Sequence, residues 1–187
     1  MRRLVTLLLF LGQPFWETKP PERWTDAEIE IVRHRSPWTQ MVGPAPEVPI
    51  WLATAEPLEE AEGEARLRTK RTEKEPDPDY SEYVTEHRGE IFVLALGYSN
   101  LKALGEAAEE RRLETESVMK IGRKTYHIVG HFPPTESDPV LRLVFPRQVN
   151  ASDKDVEFEL YVPGLPFPER AAVFRIRDLL YHGKLAM

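Results

Sequence analysis

The chain has 187 residues, a formal net charge of −6 and no cysteine. Its length suits one domain with a real core, and 41% hydrophobic residues with 4 Trp, 6 Tyr and 8 Phe set it apart from disordered chains. The missing cysteine excludes a disulfide framework, thiol chemistry and a lipid-carrying cysteine, while the acidic balance argues against nucleic acid and anionic membrane surfaces as partners.

At the start, Arg2 and Arg3 precede Leu4, Val5, Leu7, Leu8, Leu9, Phe10 and Leu11, interrupted only by Thr6. A short positive patch followed by a short apolar run is the pattern of an export signal. The run falls well short of the roughly 20 apolar residues that cross a bilayer, so no membrane insertion is expected once the signal is removed. Gly12 suits the last position before cleavage; Phe10 does not suit the position two before it. The competing reading is an N-terminal strand or helix in the core, with both arginines solvated. Export is the expectation, and it places the mature chain in the periplasm or outside the cell.

Residues 13–47 read as an arm rich in Trp and Pro. Trp16, Trp24 and Trp38 are spread among Pro14, Pro20, Pro21, Pro37, Pro44 and Pro46. Thr25 with Glu28 is a capping box, which predicts a short helix from Asp26 to about Arg33. Ile29 and Val32 share its apolar side, and Ser36-Pro37-Trp38 ends it. Two uses compete for the tryptophans: stapling the arm to the domain or stacking a ligand. Burial of the rings is the commoner outcome.

Residues 48–187 read as a single domain. A strand over 48–55 (VPIWLATA) comes first, then a helix over 57–71 whose acidic residues lie early and basic residues late, as the helix dipole favours. Glu62 with Arg66 and Glu64 with Arg68 are i,i+4 pairs in the favourable order. A loop over 73–79 and a helix over 80–87 lead to the apolar strand 91–98. Asn100 can cap a helix over 101–112. The period then changes to two: strands over 113–121 and 123–131 flank Gly122-Arg123, with glycine at the first position as a type II′ turn requires. That turn pairs Ile121 with Lys124 and Met119 with Tyr126. It also sets Val118 against His127, Glu116 against Val129 and Glu114 against His131. Further strands are expected over 140–145, 155–162 and 172–177. The sum is an α+β fold with a mainly antiparallel sheet of five to seven strands and helices on one side. Only the step from 48–55 to 91–98 could be a parallel crossover.

Chemistry is sparse. No phosphate loop, Gly-x-Ser-x-Gly elbow or His-Glu-x-x-His occurs. His127 and His131 would share a strand face with Glu114 and Glu116, but i and i+4 on a strand lie about 13 Å apart, too far for one ion. A surface pair of Glu114 with His131 is expected instead. Arg142, Arg147, Arg175 and Arg177 could form a basic stripe for an anion, or pair across strands with Glu157 and Glu159, the simpler outlet. No catalytic, cofactor-binding or metal residue is assigned, and no cofactor is called for.

Phe15-Trp16-Glu17, Arg23-Trp24-Thr25-Asp26 and Ser36-Pro37-Trp38 stand in the arm. Asp155-Val156-Glu157-Phe158 and the tail from Asp178 through Tyr181-His182-Gly183-Lys184-Leu185 stand near the end. Together they resemble a family of uncharacterised exported bacterial proteins with a Trp-rich arm closing on Ser-Pro-Trp and a Gly-Lys-Leu tail. The resemblance implies export and an α+β fold, and no activity or site. The functional expectation is a non-enzymatic binding or structural protein of the envelope or exterior, its partner a protein or a small ligand. The alternative is an enzyme or small-ligand protein with a cleft between arm and sheet, lined by Trp and Arg. A cytoplasmic domain with a buried N-terminus is the third.

Overall fold

The computed structural model describes residues 13–69, 76–98 and 101–187. The expected signal (1–12), the capping Asn100 and part of the loop expected over 73–79 lie outside those residues. Two short helical turns open the arm, α1 (Phe15–Thr18) and a 3-10 turn at Pro21–Arg23. The capping box then starts α2 (Asp26–Arg35): the Thr25 hydroxyl accepts from the Glu28 N–H at 3.2 Å, and the Glu28 carboxylate accepts from the Thr25 N–H at 2.8 Å.

Ser36-Pro37 turns the chain into β1 (Thr39–Val42), an element the sequence reading did not contain. It forms a hairpin with β2 (Val48–Leu52), so the boundary drawn between 47 and 48 falls inside paired structure. Next come α3 (Glu56–Arg68), α4 (Pro78–His87) and β3 (Ile91–Gly97). The helix expected over 57–71 thus stops at Arg68, with Thr69 as its C-cap. The conceivable parallel crossover is absent: β2 and β3 run antiparallel, Ile50 opposite Leu96 and Leu52 opposite Leu94, because two helices carry the chain back on itself.

The helix expected over 101–112 is broken into α5 (Leu101–Leu104) and α6 (Ala107–Glu116). The second runs four residues into what was expected to be strand. Helical bonds win there because Leu113 is buried from the helix and Arg112 grips Glu116 one turn on at 2.7 Å. The hairpin is consequently shorter, β4 (Val118–Ile121) with β5 (Lys124–His127), but its register is the expected one, with Met119 opposite Tyr126 and Ile121 opposite Lys124. Gly122 holds φ +58°, as the first turn position demands. Then follow β6 (Gly130–Phe132), β7 (Val140–Pro146), β8 (Asp155–Tyr161) and β9 (Glu169–Arg175). A 3-10 turn (Ile176–Asp178) precedes the small hairpin of β10 (Leu180–Tyr181) and β11 (Lys184–Leu185).

The fold is α+β and antiparallel, with the long strands divided between two sheets. One has the order β1-β2-β3-β7-β6 and the other β5-β4-β8-β9. Alternation suits the division: β8 buries Val156, Phe158 and Leu160 and β9 buries Arg170, Ala172 and Phe174 on one face each, while β3 is apolar on both faces. The inner faces meet through Phe92, Phe145, Phe158 and Phe174, whose neighbouring rings lie 5.2–6.0 Å apart. On its outer face the larger sheet carries α4, where Tyr80 and Val84 cover Ile91, Val93 and Val144. The rest of that face is not covered by α4, and this positions the site.

The arm is part of the core. Trp38 is completely buried and Trp24 is 2% exposed. Trp38 donates to the Ala186 carbonyl at 2.9 Å and meets Trp16 and Tyr181 edge-on. Residues of the arm and of the C-terminal segment meet here. Glu17 accepts from the His182 N–H at 3.1 Å, Tyr181 donates to Glu60 at 2.6 Å, and Arg147 donates to the Met187 carbonyl at 2.8 Å.

Candidate functional site

The uncovered part of the outer face forms the floor of a groove of about 950 Å³. Strand geometry selects the floor residues. Ile50 and Leu52 point into the core, so the alternating residues Pro49 and Trp51 point outward. Register sets Met41 against Pro49, Trp51 against Ala95, and Gly97 against Val140. Gly97 is required by its neighbour: a Cβ there would lie 2.7 Å from Pro49 Cγ. Pro49 therefore packs closely over a position with no side chain, near the half-buried Trp51.

Helices form the walls. From α3 come Leu58, Glu59, Glu62 and Arg66, which recur at helical spacing and so share a face; from α4 come Tyr80, Ser81, Val84, Thr85 and Arg88 in the same manner. The arm adds Arg33, His34 and Gln40, and the turn before β7 adds Ser137 and Asp138. The site is thus a cleft between arm, sheet and helices.

Its charges are mostly consumed. Arg88 holds Glu59 with two bonds at 2.8 and 2.9 Å. Arg33 holds Glu62 at 2.9 Å, which takes that carboxylate away from its expected partner Arg66. Arg142, only 7% exposed, donates to Asp138 at 2.8 Å and lies over the Tyr80 ring, 4.4 Å from its centroid. Burial pushes the Tyr80 hydroxyl up to about 12, although the Arg142 charge pulls the other way. Arg66 keeps no ion-pair partner among the described residues. Each described carboxylate of the lining is therefore locked to an arginine. Such an arrangement holds shape and charge, and leaves no carboxylate free for proton transfer among the described residues of the lining.

The residues weighed in the sequence take other places. His127 and His131 do not share a strand: β5 ends at His127, while His131 sits on β6 in the other sheet. No cluster of three metal-ligating side chains occurs among the described residues. Glu114 does approach His131, at 3.8 Å, from helix α6 and not across a ladder, and Glu110 is closer at 3.5 Å. The arginine stripe is not formed, because β7 and β9 belong to different sheets. Nor do the arginines take Glu157 and Glu159: Arg175 faces Asp155 in register, Arg177 lies 3.5 Å from Asp178, and Glu159 pairs with Lys120 at 2.5 Å. Arg142 alone of the four lines the groove. Trp16, Trp24 and Trp38 line none of it, whereas Trp51 does. Its signal was readable, since a tryptophan between Ile50 and Leu52 must face away from the core.

Comparison of the chain with models of protein families, with curated proteins and with solved structures finds no match.

Proposed function

We propose that the protein is a non-enzymatic binding module of the cell envelope or exterior that holds a small, partly apolar ligand in the groove on the outer face of its larger sheet. One observation carries this reading: a cleft of about 950 Å³ with an apolar floor and polar walls, within the size range of ligand sites. Binding is favoured over catalysis because Glu59, Glu62 and Asp138 are each engaged by an arginine. Export rests on the N-terminal pattern of Arg2, Arg3 and the apolar run, together with the resemblance of the arm and tail. No described helix is long and apolar enough to cross a membrane.

The test uses anilinonaphthalene sulfonate, an aromatic dye that brightens in apolar sites. The folded protein should bind it saturably with one-to-one stoichiometry, and Trp51→Leu should weaken binding about fivefold or more, as loss of a stacking surface implies. Binding unchanged by Trp51→Leu, in a variant that melts as the parent does, would overturn the reading.

A further inference from the structure

The groove has a chemical preference that its apolar floor alone does not specify. Among the described residues four guanidinium groups line it (Arg33, Arg66, Arg88 and Arg142) against three carboxylates (Glu59, Glu62 and Asp138), and Arg33 is also held by Glu30 at 2.9 Å. Every one of the three carboxylates is hydrogen-bonded to an arginine other than Arg66. Arg66 is half-buried on the wall and has no ion-pair partner among the described residues. The Arg66 charge, set in a chain of net charge −6, is a local feature and not a reflection of overall composition. Low-dielectric walls around a cleft strengthen such a charge relative to one in open solvent.

The floor adds a shape. The Pro49 ring lies over Gly97, where no side chain projects, next to the outward indole of Trp51. An outward indole beside a prolyl ring favours a planar, aromatic body that can stack on it. A guanidinium offers the paired N–H geometry that carboxylate, phosphate and sulfonate oxygens accept.

We infer that the ligand is a planar, aromatic or conjugated anion, its flat body on Trp51 and Pro49 and its acidic group on Arg66. This rests on the proposed binding role of the same groove, and the experiment separates the two. The probes are anilinonaphthalene sulfonate and the neutral N-phenylnaphthylamine, titrated into the parent chain, Arg66→Gln, Arg66→Lys, Trp51→Leu and the remote surface control Arg123→Gln. The parent should prefer the anionic dye by about tenfold, the scale of one charge-assisted contact. Arg66→Gln should abolish that preference while leaving the neutral dye unaffected, Arg66→Lys should keep part of it, and added salt should weaken the anionic dye alone. Arg123→Gln should change nothing. If Trp51→Leu weakens both dyes while Arg66→Gln leaves the preference intact, the groove binds but the anion assignment fails. If neither substitution alters either dye, the binding role itself fails and the assignment falls with it.

Discussion

Replacing Trp38 with alanine should cost the fold about 4 kcal/mol. The indole is completely buried, and truncation of such a ring typically costs about 3–5 kcal/mol. Edge-on contacts to Trp16 at 5.9 Å and Tyr181 at 6.2 Å are lost with it. The Ala186 carbonyl, in a residue only 6% exposed, also loses its 2.9 Å donor. These contributions overlap, which is why the expectation stays inside the range for the truncation. A typical domain has about 5–15 kcal/mol in all, so the variant should remain measurable, though at the lower end it would be barely folded. Urea unfolding followed by circular dichroism is the assay. With a slope of about 2 kcal/mol/M, the midpoint should fall by about 2 M. Trp38→Phe keeps one six-membered ring but removes the donor and part of the buried volume, so its loss should be smaller than that of Trp38→Ala, about 2–3 kcal/mol. A Trp38→Ala loss under about 1.5 kcal/mol would refute the claim that this ring ties arm, tail and core together.

Gly97→Ala should destabilise by about 1–3 kcal/mol, since the new methyl meets the stiff Pro49 ring at 2.7 Å, and Pro49→Ala in the same chain should recover much of the loss in a double-mutant cycle. Burial raises the Glu60 carboxyl above its ordinary range, outweighing the Tyr181 hydrogen bond that lowers it. The folded state therefore holds that proton more tightly than the unfolded one, and the stabilisation it gives is present below the unfolded value and lost as pH rises through the folded one. Glu60→Gln, which keeps an acceptor for Tyr181, should thus gain on the parent in chemical denaturation as pH rises from about 4 to 7; a shrinking difference would contradict this. Protein purified from its native host should begin at or near Gln13 when sequenced from the N-terminus, and an intact Met1 or Arg2 start would end the export proposal.

Local signals were the legible part of the fold. The Thr25–Glu28 capping box, the Gly122 turn with its register, and the alternation along β8 each rest on neighbours in the chain, and each appears in the structure. Competition between local preferences hid the end of α6: residues 113–116 fit a period of two as well as a helix, and the Arg112–Glu116 pair with Leu113 burial decides for the helix. Strand β1 was hidden because Thr39-Gln40-Met41-Val42 is short and shows no alternation of apolar residues, and becomes a strand only by pairing with β2. Division into two sheets depends on which strands find each other, which no single segment states. The groove is the least legible feature, being assembled from α2, α3, α4 and four strands. Only the outward direction of Trp51 was available beforehand, and the ion pairs that isolate Arg66 join residues as far apart as Arg33 and Glu62.

Nitrogen-15 NMR of the indole N–H groups during titration with anilinonaphthalene sulfonate tests the central claim most directly. The chain has four tryptophans, so four indole signals report on four places, and Trp51→Phe assigns the one that matters. The account predicts that the Trp51 signal shifts progressively and saturates with the dye, while Trp24 and Trp38, hydrogen-bonded to the Lys19 and Ala186 carbonyls, stay in place. A stationary Trp51 signal at saturating dye, or shifts confined to the arm tryptophans, would show that the groove is not the binding site.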